Sequence, residues 1–314
     1  MDISRRTAIA VMAAGAGMGG AMARAAGEPF FKRTRLPLGL QLYTLGPDLA
    51  ADLDGQLKQV AAAGYRTAEL AGYAGRTPAE FRAALDKAGL AATSTHVQAT
   101  SSKAQAGLDN VDGVIAEAKA MGVSHVVLPS PPTPERIKPA AGESRLDFLL
   151  RMSKSLTPDD WKATAGLLNA KAKPLKAAGL TMGYHNHNIE LAPVGATNGL
   201  SILLAETDPA LVQFEMDAGW VVAAGADPFK ILKAHPRRFR QMHVKDVKAS
   251  TRPNFVFQQD PTEVGTGIID WPRLLPAAHA AGVEGFFVEQ EPPFTKPRIE
   301  AARLCADYLL KVVA

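Results

Sequence analysis

The chain has 314 residues, 47% of them hydrophobic, so it can bury a large core, and it lacks the composition of a fibrous or low-complexity chain. Its 35 Lys and Arg against 31 Asp and Glu give a formal charge of +4 with no organised basic stretch, which argues against nucleic acid as a partner. The single cysteine, Cys305, excludes an intrachain disulfide and lies in an apolar helical pattern that fits a buried thiol rather than a nucleophile.

From the start of the chain, Ser4-Arg5-Arg6-Thr7 precedes an apolar run of small residues over 8–23, with small-x-small cleavage sites at Ala21-Met22-Ala23 and Ala23-Arg24-Ala25. Residues 1–26 therefore read as a twin-arginine export signal and 27–314 as the mature domain, with a periplasmic destination. The run is too short and too rich in Gly and Ala for a secure span of about 20 strongly apolar residues, so no stable membrane insertion is expected after signal removal.

Strand-like runs follow at 38–43, 67–70, 92–97, 123–128, 180–187, 212–217, 240–244 and 285–289. Between them lie Ala-, Leu- and Lys-rich helical stretches at 53–63, 78–88, 111–121, 161–178 and 271–281. Several end in a glycine placed as a helix C′ residue: Gly64, Gly89, Gly122, Gly179 and Gly282. Eight strand-helix units in one chain predict a single closed (β/α)8 TIM barrel. Two connections are long. Residues 129–160 contain a short helical pattern at 146–153 and a helix start at Thr157-Pro158, and residues 247–265 carry aromatics and Arg252. Both are expected to wall the site on the catalytic face.

Chemistry concentrates at strand ends. In Gly183-Tyr184-His185-Asn186-His187-Asn188-Ile189-Glu190, an extended backbone places His185 and His187 on one face, roughly 6–7 Å apart, as a metal would require. Asp217, His243 and Glu289 then end three further strand patterns, where barrel enzymes keep their reactive groups. Glu69 and His96 face the same mouth as substrate contacts, and Gln41, Tyr43 and Trp220 suit a wall for a sugar. His187 reads as a substrate-binding imidazole, and Lys245 as a holder of a carboxylate or oxyanion or a partner of Asp246.

Gly39-Leu40-Gln41-Leu42-Tyr43-Thr44, Tyr184-His185-Asn186-His187, Asp217-Ala218-Gly219-Trp220, His243-Val244-Lys245-Asp246, Gly265-Thr266-Gly267-Ile268-Ile269-Asp270-Trp271 and Val288-Glu289-Gln290 together resemble the sugar phosphate isomerase/epimerase superfamily of xylose-isomerase-like barrels. The resemblance runs from about residue 38 to the C-terminus. It implies one divalent ion, Mn, Zn, Fe or Co, on His185, Asp217, His243 and Glu289, with His187 and Glu190 as alternatives for the fifth-strand ligand. It further implies a metal-dependent isomerase or epimerase acting on a carbohydrate, with a lyase or dehydratase of a keto-sugar and a non-catalytic sugar-binding barrel as alternatives. Glu289 is the expected base, and His185, Lys245 or Glu190 its catalytic partner. Many members carry Glu where this chain has His185, which weakens a symmetric two-carboxylate epimerase. Barrels of this type are often oligomeric, so a homo-oligomer is a further expectation. The export signal and the absence of a glycine-rich phosphate loop before a helix point to an unphosphorylated substrate.

Overall fold

The computed structural model describes residues 27–314, so the expected export signal lies outside the described residues. Eight parallel strands close a barrel: β1 (Leu38–Gln41), β2 (Thr67–Leu70), β3 (Ala91–His96), β4 (His125–Leu128), β5 (Thr181–His185), β6 (Val212–Asp217), β7 (Phe239–Val244) and β8 (Gly285–Val288). They follow one another around the barrel in chain order, and β8 pairs with β1 to complete the ring. One helix after each strand forms the outer layer: α1 (Leu53–Ala62), α2 (Pro78–Ala88), α3 (Val111–Met121), α4 (Pro158–Ala177), α5 (Gly199–Glu206), α6 (Pro228–Ala234), α7 (Trp271–Ala280) and α8 (Arg298–Leu309). Among the described residues no helix is long and apolar enough to cross a membrane.

The helix boundaries follow from local chemistry. Thr77 and Thr157 each accept the N3 amide and receive a carboxylate in return, from Glu80 and Asp160, which closes capping boxes on α2 and α4. Gly89 and Gly122 end α2 and α3 at φ 74° and 73°, a left-handed backbone that glycine adopts without penalty. Strand β5 is shorter than its apolar pattern suggested. It stops at His185, so His187 belongs to the loop that follows.

Alternation along the strands divides the chain into two environments. Leu40, Tyr184, Phe214, Met242 and Phe286 alternate with the inward positions and join the buried apolar layer beneath the helices. On the inner side, Gly39 leaves room for the ring of Phe287: a Cβ on Gly39 would lie 2.4 Å from Phe287 Cδ1 and 2.8 Å from Thr67 Oγ1. The bottom of the barrel is therefore plugged. Above the plug the inward residues turn polar, with Gln41, Glu69, Ser94, His185, Glu215, Asp217, His243 and Glu289 all buried. Barrel interiors are usually filled by branched aliphatics, so this layer marks the functional end.

One outward carboxylate organises the connection between β7 and α7. Asp246 accepts hydrogen bonds from the backbone amides of Val247 (2.9 Å), Gly265 (2.9 Å), Gly267 (3.2 Å) and Ile269 (3.3 Å), and from the Trp271 indole (2.9 Å). The Gly265-Thr266-Gly267 turn is thus a cradle for a buried carboxylate of this chain, and not a phosphate loop. A Cβ on Gly267 would strike Asp246 Oδ1 at 2.1 Å. Replacing Asp246 by Asn sets an amide NH2 against N–H donors in either orientation. Asp246→Asn is expected to cost roughly 2–4 kcal/mol in denaturant unfolding and to raise amide hydrogen exchange over residues 262–271, while leaving exchange in β2 to β4 unchanged.

Candidate active site

Strand pairing sets the site before any side chain is considered. The parallel register aligns Gln41 with Glu69, His185 with Glu215, and Asp217 with His243, so neighbours in register point into the barrel together. Glu69 gathers Gln41 Nε2 at 2.8 Å, the Ser94 hydroxyl, and His243 Nε2 at 2.6 Å. Glu215 Oε2 lies 3.0 Å from His96 Nε2, 3.2 Å from His185 Nδ1 and 3.2 Å from His243 Nε2. His243 uses its other nitrogen, Nδ1, toward Glu289 (3.0 Å) and Asp217 (3.6 Å).

Lys245 is fully buried and holds carboxylates, as one of its two readings from the sequence has it, but they are those of this chain and Asp246 is not among them. Its Nζ lies 2.7 Å from Glu289 Oε2, 2.9 Å from Asp217 Oδ2 and 2.9 Å from Glu291 Oε1, and Asp246 is occupied by the amides of its own loop. Gly219 makes room for the lysine stem, since a Cβ there would come within 2.7 Å of Lys245 Cγ, and the ammonium sits 5.1 Å from the Trp220 ring. Asp217 has a second duty: its Oδ1 accepts the Trp220 amide at 2.8 Å and caps the short helix Ala218–Ala223.

Among the described residues, two groups of side chains have donor atoms close enough to hold a metal ion: His96, His185, Glu215 and His243, and separately Asp217, His243 and Glu289. The expected quartet is therefore split. His185 belongs to the first group, while Asp217 and Glu289 belong to the second, and only His243 joins both. Borderline nitrogen and oxygen donors suit Zn, Fe, Co or Mn better than Ca. Glu215 Oε1 is buried without a hydrogen-bond partner, as expected of a carboxylate whose partner is an ion.

The electrostatics follow from these contacts. Burial alone would lower His96, but the carboxylates of Glu69 and Glu215 outweigh it and raise it to about 10. His243 is likewise lifted well above the usual imidazole range against its burial, by Glu215 and Glu289. His185 is pushed well below that range, first by burial and then by the charge of His243. Burial opposes ionisation of Glu215 and Glu289, yet their cationic neighbours prevail: Glu215 falls to about 2, and Glu289 is held well down, chiefly by Lys245. Glu291 is raised, burial outweighing its contact with Lys245.

The mouth wall is aromatic. His187 packs edge-on to His185 at 4.9 Å, and lies 5.7 Å from Trp220 and 5.3 Å from Phe257. Phe257 arrives from the long loop after β7, which Asn188 pins by donating to the Asn254 carbonyl at 3.0 Å. That loop is a pocket wall as expected. The other long connection, 129–157, holds the helix Arg145–Lys154 and ties to itself and to α4 through Arg136 with Asp160 and Arg151 with Glu143. Tyr43 is 55% exposed on the turn after β1, while the Gln41 carboxamide is spent on Glu69 and the Tyr43 amide.

Glu215 and Glu291 were absent from the candidates drawn from sequence. The signal was present: each lies two residues from a named acid, Asp217 or Glu289, and strand alternation puts such residues on the same face.

Residues 57–311 match the family described as the xylose isomerase-like TIM barrel. The chain is 30% identical over 154 residues to an inosose dehydratase of Geobacillus thermodenitrificans, a match covering 45% of this chain. The chain spans about half the length of the curated relatives it matches. Among solved structures, a sugar phosphate isomerase/epimerase from Parabacteroides distasonis superposes with a TM-score of 0.66 at 25% identity, covering 92% of this chain and 95% of that one. A 3-keto-D-glucoside 4-epimerase from E. coli superposes with a TM-score of 0.60 at 15% identity, over 87% of this chain and 98% of that one, a likeness of fold.

Glu190, read from sequence as a ligand or catalytic acid, is placed elsewhere. Tyr184 alternates with His185 and points outward, and its hydroxyl donates to Glu190 Oε1 at 2.7 Å while the His187 amide donates to Oε2 at 2.8 Å. Glu190 therefore clasps the turn after β5 from behind and belongs to neither metal-competent group. Burial outweighs these hydrogen bonds and raises its carboxyl from 4.5 to about 7. The folded value exceeds the unfolded one, so the stabilising contribution is intact below pH 4.5 and is lost as pH rises through about 7. Unfolding free energy should fall by roughly 3 kcal/mol across that window because of this group, and Glu190→Gln should remove most of the fall when denaturation midpoints are compared across pH.

Proposed function

Because this chain belongs to the xylose isomerase-like TIM barrel family, we propose that it is an enzyme that removes a proton next to the carbonyl of a polyhydroxylated ketone, a keto-sugar, keto-glycoside or keto-cyclitol. The observation that carries this reading is the buried polar layer at the C-terminal mouth, where Glu289 lies 2.7 Å from the Lys245 ammonium and 3.0 Å from the His243 imidazole. A carboxylate held ionised beside cations and desolvated by its surroundings is equipped to accept a proton from carbon. A divalent ion, for which both metal-competent groups supply fitting donors, would contribute polarisation of the carbonyl oxygen.

Of the two fates open to the deprotonated substrate, elimination is the better supported. Glu291 sits on the same ammonium as Glu289, and its raised carboxyl suits it to hand a proton to a departing hydroxyl or alkoxide. Base and acid then stand side by side, the arrangement for removing a proton and a β-substituent from one face. The resemblance to an inosose dehydratase over 45% of the chain supports the same choice. Epimerisation is the second reading, supported by the Parabacteroides likeness. It needs a proton returned from the opposite face, where His96 and His185 stand with the Glu215 carboxylate 3.0 and 3.2 Å from their nitrogens.

The carboxylates Glu69, Glu215, Asp217, Glu289 and Glu291 crowd this mouth against one lysine, a poor environment for a phosphate. An unphosphorylated substrate is therefore favoured. Residues 1–26 read as a twin-arginine signal, and export by that route would put the reaction in the periplasm. A folded reporter fused to residues 1–26 should be translocated, and translocation should stop when Arg5 and Arg6 are both replaced by Lys.

Incubation with keto-cyclitols and 3-keto-glycosides in deuterated water tests the reaction. The expected product is an unsaturated or enolised ketone with loss of water or an aglycone, and Glu289→Gln should lower kcat by roughly a hundred- to ten-thousand-fold while KM changes little. Recovery of an isomeric ketone carrying one deuterium, without elimination, would transfer support to epimerisation.

A further inference from the structure

We infer that Lys245 is the permanent cation of the Asp217 and Glu289 pair, and that the divalent ion is held beside it by His96, His185, His243 and Glu215. The assignment rests on the proposal that the enzyme works with such an ion. It departs from the arrangement that the family resemblance implies, in which Asp217 and Glu289 are ligands.

The Asp217 and Glu289 carboxylates already have a cation. Lys245 Nζ lies 2.9 Å from one and 2.7 Å from the other, with Glu291 a third anion at 2.9 Å. The ammonium cannot swing aside cheaply. Its stem fills the space that Gly219 leaves open, its head stands over Trp220, and the side chain is fully buried. A dication added between the same carboxylates would face a fixed positive charge at ligand distance in a poorly screened interior.

The neighbouring group has the opposite character. Three imidazole nitrogens stand 3.0, 3.2 and 3.2 Å from Glu215 Oε2. Ligand atoms at the corners of a tetrahedron with bonds of about 2.0–2.1 Å are separated by about 3.4 Å, so these side chains need only small shifts to enclose an ion. Glu215 Oε1 is buried and unpartnered in the same place. The ion would take the place of the proton that His243 Nε2 shares with Glu69 at 2.6 Å. With Nε2 of His243 given to the ion, its Nδ1–H donates to Glu289 at 3.0 Å, the carboxylate-imidazole-metal relay that fixes a ligand's orientation. Glu289 then orients a ligand and remains free to take a proton from carbon. Three imidazoles with one carboxylate favour Zn, Fe or Co over Mg or Ca.

The full-length protein, stripped by a chelator and reconstituted with Zn2+ or Co2+, should retain about one ion per chain after dialysis. His96→Asn and Glu215→Gln should each weaken retention at least tenfold, whereas Glu289→Gln and Asp217→Asn should keep the ion. Independently of any variant, cobalt-loaded wild type should show three hyperfine-shifted, exchangeable imidazole N–H resonances in its proton NMR spectrum. Fewer than three, loss of the ion in Glu289→Gln with retention in Glu215→Gln, or no ion in reconstituted wild type would each overturn the assignment. An ion retained on three imidazoles without turnover of any keto-sugar would leave it standing and sink the proposed reaction instead.

Discussion

A buried ammonium surrounded by three carboxylates is the interaction on which the mouth of this barrel depends. Lys245 carries its charge into a fully enclosed position, and such a charge persists only where its lost hydration is replaced. Asp217, Glu289 and Glu291 replace it from two strands, and each is in turn stabilised by the lysine. Removing the lysine would leave three acidic groups in a dry site without their shared cation, so these residues are coupled in stability before they are coupled in chemistry. Gly219 and Trp220 belong to the same unit, one as the space for the stem and the other as the face beneath the head.

The segment His243-Val244-Lys245-Asp246 shows how much a two-residue alternation can distribute. His243 and Lys245 face the barrel interior and join its charged layer, while Asp246 turns away and gathers four amides and an indole. A strand end thus positions reactive groups on one face and anchors the following loop on the other. The loop passes back over the site, where Phe257 meets His187 and Trp220.

The architecture was legible in the sequence because its signals are local and repeated: alternating strand and helix patterns, helix-closing glycines such as Gly89 and Gly122, and the Thr157 cap. The mouth was legible at Asp217, His243 and Glu289, which end their strand patterns. Other features were not, for identifiable reasons. Glu215 sits inside a strand that reads as apolar, and its role appears only when the register sets it beside His185. The reach of Lys245 to the end of β8 depends on the pairing of β7 with β8, a contact between segments more than forty residues apart. Glu190 looked like a site residue because it follows the two histidines closely, but the chain turns after His185 and carries it behind the strand.

The ring of Phe287, seated in the space left by Gly39, closes the barrel floor and makes the reaction chamber a blind well. Substrate, product, water and ions share one opening, and the Phe257 loop lies along its wall. A proton taken from carbon has no rear exit, so its exchange with bulk solvent is governed by how long that single doorway stands open relative to a turnover. Isotope washout therefore reports on the doorway as much as on the base.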